Sequence, residues 1–310
     1  MTIGITSQPS QRRIWRRLGF REAVAFYFFA SPWLIGLLLW TLGPMIASFI
    51  LSFTDYQLVL PPKWFGSGNY TYMLRDELVW RALRVTTIYA LGTIPLGLLF
   101  SFGLAVLLNQ PIRGVHVFRT IYYIPAVISG VPVALLWMWL LNPEFGLVNN
   151  ALAAVGIDGP DWFFSKTWVI PSFIIMSLWA IGAPMIIYLA GLQGIPHHLY
   201  EAAEIDGAGP FSKFRHVTVP MISPVILYNL VIGVIGSFQI FTPAYVITQG
   251  GPANASLFYV LYLFNNAFRY FKMGYASAMA WLMFAIILLL TLLVFRMSTS
   301  WVYYEGDIKK

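Results

Sequence analysis

Long uncharged runs alternate with short charged segments along this 310-residue chain. The runs lie within Ala23–Thr54, Val85–Leu108, Thr120–Leu141, Thr167–Leu192, Val219–Thr248 and Met273–Phe295. A helix needs about 20 apolar residues to cross the hydrocarbon core of a bilayer, so each run is long enough for one crossing. Pro32 and Pro44 can bend the first. That run is too long for a signal-peptide core, and no small-x-small cleavage site follows it, so a retained span is predicted. Gln249–Pro252 (GlnGlyGlyPro) stops the fifth run. Ala253–Phe268 is shorter and carries Asn254, Ser256, Asn265 and Asn266, so an external helix near the interface is expected there. The predicted fold class is an all-α integral membrane protein with six transmembrane helices.

Composition supports that reading. The chain is 59% hydrophobic and 10% charged, against about 25% charged in soluble domains. The net charge of +7 needs no nucleic acid, because basic residues gather on the cytoplasmic loops of membrane proteins. Twelve of the 19 Lys and Arg residues fall in the N-terminal tail, the loops at 109–119 and 193–219, and the end of the chain from Arg296 on. Arg12, Arg13, Arg16, Arg17 and Arg21 dominate that group. Both termini are therefore predicted to be cytoplasmic, whereas a seventh crossing would put the C-terminus outside. The chain divides into a basic tail (1–22), a six-span domain (23–297) with a polar loop at 196–220, and a second tail (298–310). Trp64, Phe65, Tyr70, Tyr72 and Trp80 suit a membrane–water boundary. Arg81 and Arg84 can extend their heads back toward it.

Several chemistries are missing. There is no cysteine, which excludes disulfides and Cys-based zinc sites. All 12 acidic residues and all 4 histidines fall outside the predicted span interiors. An ion-coupled carrier usually keeps an ionisable relay inside the membrane, so a secondary solute carrier is the alternative reading. A membrane-embedded enzyme would need a reactive constellation, and neither HExxH nor another metal spacing occurs. No GxxxxGK[ST] loop is present, so the chain has no evident ATP site of its own.

The most charged stretch of the second half is Tyr200–Pro224. It reads as two short helices broken at Gly207, with Pro196 and Pro210 as first helical residues. Ala202 and Ala203 give a thin face for close approach by another protein. Glu201, Glu204 and Asp206 offer anchors for basic groups. Glu201-Ala202-Ala203, Gly207 and then Val217, Val219 and Pro220 resemble the EAA loop of binding-protein-dependent ABC importer permeases, which reads EAA, three residues, Gly, nine residues, Ile-x-Leu-Pro. Valines stand here for Ile and Leu. Asn69-Tyr70, Trp80–Thr87, Phe118–Asn149, Thr248–Pro252 and Met273–Trp281 are similar to the carbohydrate-uptake branch. The large external insertion of the maltose-type permease is missing.

The resemblance implies a subunit of a bacterial inner-membrane importer. Its partners would be a second, similar permease, two ATPase subunits, an extracytoplasmic solute-binding protein and membrane lipid. The 196–220 loop would be cytoplasmic and form coupling helices between spans 4 and 5, with Glu201, Ala202, Ala203, Asp206, Gly207, Ala208 and Pro220 meeting an ATPase. ATP and Mg would sit on that ATPase, with no cofactor or metal on this chain. A sugar path would combine aromatic faces with hydrogen-bonding groups near the midplane. Polar residues at that depth tend to face the bundle interior, which makes Asn229, Ser237 and Gln239 in span 5 candidates. Ser177, Trp179, Gly182 and Tyr188 are candidates in span 4. The resemblance adds Ile240 and the stretch from Trp179 to Gly182.

Overall fold

The computed structural model describes residues 12–111 and 113–303. Residues 1–11 of the basic tail, and 304–310 with Lys309 and Lys310, lie outside the described residues. Helix α1 (Arg12–Gly36) runs through a π-helical turn at Leu37–Leu42 into α2 (Gly43–Leu51). Pro44 follows closely on the π-helical turn, near the start of α2. Two short strands, β1 (Thr54–Asp55) and β2 (Lys63–Trp64), pair antiparallel with Thr54 opposite Trp64. Then come α3 (Gly68–Arg75), the long α4 (Glu77–Leu108), α5 (Val115–Val127), α6 (Gly130–Leu140) and α7 (Leu147–Ala154). Next are α8 (Val169–Leu178), α9 (Gly182–Gln193), α10 (His197–Ile205), α11 (Pro210–Lys213) and α12 (Val219–Phe238). The last two are α13 (Tyr259–Phe264) and α14 (Met273–Ser298).

Among the described residues, four continuous rods are long and apolar enough to cross a membrane: Gly19–Leu51, Glu77–Leu108, Pro210–Phe238 and Met273–Ser298. The runs expected to form spans 3 and 4 are bent pairs instead. α5 and α6 meet at 102°, and α8 and α9 at 44°. Each pair adds one crossing if counted as one span. Ile128 and Ser129 are extended at the first bend, and Pro132 falls in the first turn of α6, where helices tolerate it. The fifth run also differs from expectation. α12 ends at Phe238, and a separate helical segment ending in a π-helical turn at Ala244–Thr248 follows the break.

The chain's two ends of the bundle are built differently. At one end Asp76 gathers three helices. One carboxylate oxygen caps α4 by accepting from the Leu78 N–H at 3.0 Å. The other accepts from the hydroxyls of Tyr262 and Tyr275 at 2.7 and 2.8 Å. Buried Asn69 donates to the carbonyls of Ser52 and Thr54, both at 2.9 Å. Gly274 lets α14 pass against this turn, because a Cβ there would fall 2.1 Å from the Thr54 carbonyl oxygen. The stretch 253–268 forms α13 and a π-helical turn at Asn265–Arg269 that pack into the bundle. Phe258, Tyr259, Leu261, Asn265, Asn266 and Ala267 are buried against the core that α4, α8 and α14 share. Asn266 is satisfied within its own helix, its Nδ2 donating to the Tyr262 carbonyl at 2.9 Å.

The opposite end is a second apolar cluster of Ala105, Leu108, Met185, Tyr188, Leu189, Leu192, Ile195 and Ile222, with Leu199 and Tyr200 of α10 packed on it. Arg119 closes it from α5, donating to the Leu108 carbonyl at 2.8 Å where the end of a helix favours a cation. The Tyr303 N–H donates to Ser223 Oγ at 2.9 Å, so the described C-terminal end stands at the start of α12, beside the polar loop.

Candidate functional site

Two features stand out, one at the α10–α11 loop and one where helices break. In the loop, Pro196 is the residue just before α10 and Pro210 the first residue of α11. Gly207 has φ +79°, the left-handed region that favours glycine. The Gly207 N–H bonds the Glu204 carbonyl at 3.0 Å and the Ala208 N–H bonds the Ala203 carbonyl at 2.8 Å. That pair of bonds is a Schellman end, which stops a helix and reverses the chain. A strap crosses the turn, with Lys213 Nζ 2.5 Å from Glu204 Oε1. The hydrogen bond from Lys213, and then its charge, hold the Glu204 carboxyl below its ordinary range. Tyr200 and Thr218 share a hydrogen bond of 3.0 Å that ties α10 to the foot of α12.

The loop's outward face is partly apolar. Ile205 is 87% exposed and Phe211 74%. Glu201, Ala202, Asp206 and Gly207 are exposed as well, whereas Ala203, Ala208 and Pro220 are half-buried. Nothing lies within 4 Å of a Cβ built on Gly207. Sequence reasoning missed Ile205 and Phe211, although two large apolar residues in a charged loop were a readable signal.

The second feature is a meeting of breaks. The interruptions at Ile128–Ser129, Trp179–Ile181 and Gln239–Phe241 come together around a cavity of about 250 Å³. Pro125, Ile128, Gly130, Ser177, Trp179, Ala180, Ile240 and Pro243 are among its lining residues. The breaks are close: a Cβ on Gly130 would touch Thr242 Cγ2 at 3.4 Å. A second cavity, of about 380 Å³, adjoins it and is lined by Thr93, Ser101, Asn229 and Ser237 among others. Tyr89, Ser177 and Ala180 belong to both. Thr93 Oγ1 and Ser177 Oγ lie 3.4 Å apart on this shared wall. Among the described residues, no Asp, Glu, Lys, Arg or His lines either cavity. Non-helical backbone at membrane depth survives only when it is buried in protein or lines a cavity. Such a cavity offers hydroxyls, freed backbone groups and aromatic faces to an uncharged polar group.

The candidates from the sequence divide accordingly. Trp179 and Ser177 line the first cavity, and Asn229 and Ser237 the second. Gln239 is exposed at the end of α12, one residue before the lining residue Ile240. Gly182 is a helix crossing: a Cβ there would fall 2.0 Å from the Tyr122 carbonyl oxygen. Tyr188 is fully buried in the second apolar cluster, its ring 5.3 Å from that of Phe102. Neither of these two residues is among those lining either of the two cavities. Tyr89 and Thr93 were missed, since within an uncharged helix they differ little from packing residues.

The sequence profile of the binding-protein-dependent transport system inner membrane components matches residues 93–302. The chain belongs to this family. Among its relatives, the probable ABC transporter permease protein YesP of Bacillus subtilis is 44% identical, over 92% of this chain and 94% of its own. The lactose transport system permease protein LacF of Rhizobium radiobacter is 34% identical over 87% and 92%. The arabinooligosaccharides transport system permease protein AraP of B. subtilis is 32% identical over 99% and 97%. A crystal structure of a bacterial ABC transporter that imports the acidic polysaccharide alginate contains a chain of the same fold. It has a TM-score of 0.79 at 24% identity and covers 96% of this chain and 100% of that one. The matched region begins within α4 and takes in both the breaks and the polar loop. As a member of this family the protein is a multi-pass inner-membrane transport component.

Proposed function

We infer that the protein is one permease subunit of an ATP-driven ABC importer for a sugar or related solute, and that the 197–213 loop couples it to a cytoplasmic ATPase. The names of LacF and AraP support the solute class. One geometric observation carries the coupling: the two helices that leave the loop, α9 and α12, end at two of the breaks that wall the cavity. A push on the loop reaches the cavity through the continuous helix Pro210–Phe238, and α9 joins the loop across the turn at Gly194–Pro196. A state change couples two sites when both bias one shared element, and the loop with its two helices is such an element. Ile205 and Phe211 would enter the ATPase surface, and Glu201 and Asp206 would face its basic groups. ATP and Mg would stay on the ATPase, a second permease would complete the path, and an extracytoplasmic binding protein would deliver solute. Both termini would be cytoplasmic.

Two substitutions at Gly207 test the coupling. Asparagine tolerates the left-handed region, so Gly207→Asn keeps the turn and transport persists. Gly207→Glu places a charged side chain in the open space before the ATPase, and ATP hydrolysis by the purified complex then no longer depends on solute-loaded binding protein. Normal uptake by the glutamate variant would refute the coupling. A secondary carrier predicts uptake without any ATPase, and family membership disfavours it.

A further inference from the structure

We propose that Arg81 and Arg84, with the apolar stripe that continues below them on α4, form a binding site for an anionic phospholipid. Its phosphate would rest on the two guanidinium groups and its acyl chains along the stripe. The arginines stand one helical turn apart and open into a cleft of about 530 Å³ lined by Glu77, Trp80, Arg81, Arg84, Val85 and Ala255. Both are exposed. Among the described residues neither has an ion-pair or side-chain hydrogen-bond partner, and Lys213–Glu204 is the ion pair found there. Trp80 is fixed beside them, its Nε1 donating to the Leu74 carbonyl at 3.0 Å. An indole at the rim of a span suits the headgroup layer.

Depth and direction select a lipid. The uncharged run Val85–Leu108 spans about 36 Å at 1.5 Å per residue, against a hydrocarbon core of about 30 Å. Arg84 therefore sits at the margin of the core, at the level of lipid phosphates. Ile88, Leu91, Pro95 and Leu99 follow Arg84 on the same face of α4 by helical spacing. Ile88 is 51% exposed, Leu91 71% and Leu99 65%. A cationic pair above a bare apolar stripe is complementary to a molecule with an anionic head and hydrocarbon tails. A soluble protein or a free anion would use the arginines and leave the stripe uncovered. Glu77, the one acidic group of the cleft, lies a turn nearer the start of α4, on the water side of Arg81.

The test uses the full chain assembled with its partner subunits, in bilayers of phosphatidylcholine with a defined fraction of phosphatidylglycerol. Retained phosphatidylglycerol is measured by mass spectrometry after a detergent wash. Each basic residue near a membrane surface contributes about 1 kcal/mol to anionic-lipid binding, so the double variant Arg81→Gln/Arg84→Gln should retain the lipid about 30-fold more weakly. Arg75→Gln, outside the cleft, should retain it normally. Unchanged retention by the double variant overturns the proposal. Displacement by inorganic phosphate overturns it in favour of a soluble-anion site. Loss of the second permease from the double variant's complex overturns it in favour of a subunit interface. A second measurement leaves both arginines in place. The chain has no cysteine, so Ile88→Cys is labelled with a fluorophore on this chain before assembly, and brominated phosphatidylglycerol should quench it more than brominated phosphatidylcholine does. Equal quenching also overturns the site.

Discussion

Replacing Gly182 by alanine puts a methyl group where α9 crosses the backbone of α5. On the observed backbone the new carbon falls 2.0 Å from the Tyr122 carbonyl oxygen, 2.7 Å from its carbonyl carbon and 2.9 Å from the Tyr123 Cα. All three are main-chain atoms, so no change of rotamer relieves the clash. A close carbon–oxygen contact is about 3.3 Å, and the helices must part locally by about 1.3 Å to reach it. Overpacking of this kind costs about 1–3 kcal/mol. Alanine's helix preference returns about 1 kcal/mol, leaving a net loss of up to about 2 kcal/mol. Gly103 in α4 is the control, because nothing lies within 4 Å of a Cβ built there. Gly103→Ala should be neutral or stabilising by up to about 1 kcal/mol. Heat unfolding followed by tryptophan fluorescence in detergent compares the two. Gly182→Ala should also slow uptake in proteoliposomes, because Trp179 on the cavity wall lies three residues before the displaced position. A Gly182→Ala protein with the wild-type midpoint and uptake would refute the close crossing and the role of the wall.

Two further outcomes follow from the same geometry. Ser177→Ala removes a hydroxyl from the wall shared by both cavities; losing one hydrogen bond to the solute should raise KM for uptake roughly 2- to 10-fold, and an unchanged KM would make Ser177 structural. The carboxyl of Glu204 is held low by Lys213, so its strap supports the turn fully above the ordinary carboxylate value of about 4.3 and is lost as pH falls through the depressed value. Protease nicking at Gly207 should therefore rise on acidification in the wild type, and Lys213→Met should show that higher nicking already at neutral pH; equal nicking in the two proteins at neutral pH would show that the strap does not order the turn.

The polar loop was legible because its signals are local. Gly207 reverses the chain by φ, Pro210 starts a helix, and both effects act within a few residues. The four straight rods were legible because hydropathy over 20 or more residues measures length. It does not measure direction, so the bends at Ile128–Ser129 and Trp179–Ile181 were read as unbroken spans. The burial of the stretch 253–268 left no clear signal for a related reason. Burial against protein and a place near the interface give similar composition when an asparagine such as Asn266 bonds within its own turn. Gly182 and Tyr188 were chosen by residue type, yet their roles depend on which neighbour each meets, Tyr122 for one and Phe102 for the other. Such tertiary contacts leave no trace in spacing.

Those contacts also say where the cavity can change shape. α9 is locked to α5 at Gly182. It is locked to α12 at Gly191, where a Cβ would fall 2.8 Å from Val225 Cγ2. α5, α9 and α12 should therefore follow the loop as one body. α6 packs instead on the Ala244–Thr248 turn, and only the extended residues Ile128 and Ser129 join it to α5. Bending is expected there. α12 is about 30 Å long at 1.5 Å per residue, so a tilt of about 10° at the loop moves its far end by about 5 Å. That is close to the edge of about 6 Å that a cube of the 250 Å³ cavity would have, enough to open or close it. Because the chain lacks cysteine, spin labels at Val117→Cys on α5 and Leu136→Cys on α6 report on this joint, and both positions are exposed. Their separation should change by several ångströms when ATP binds the assembled complex, while a pair spanning α9 and α12 should keep its distance. A fixed α5–α6 distance through the ATP cycle would show that the break at Ser129 is rigid and that the cavity opens elsewhere.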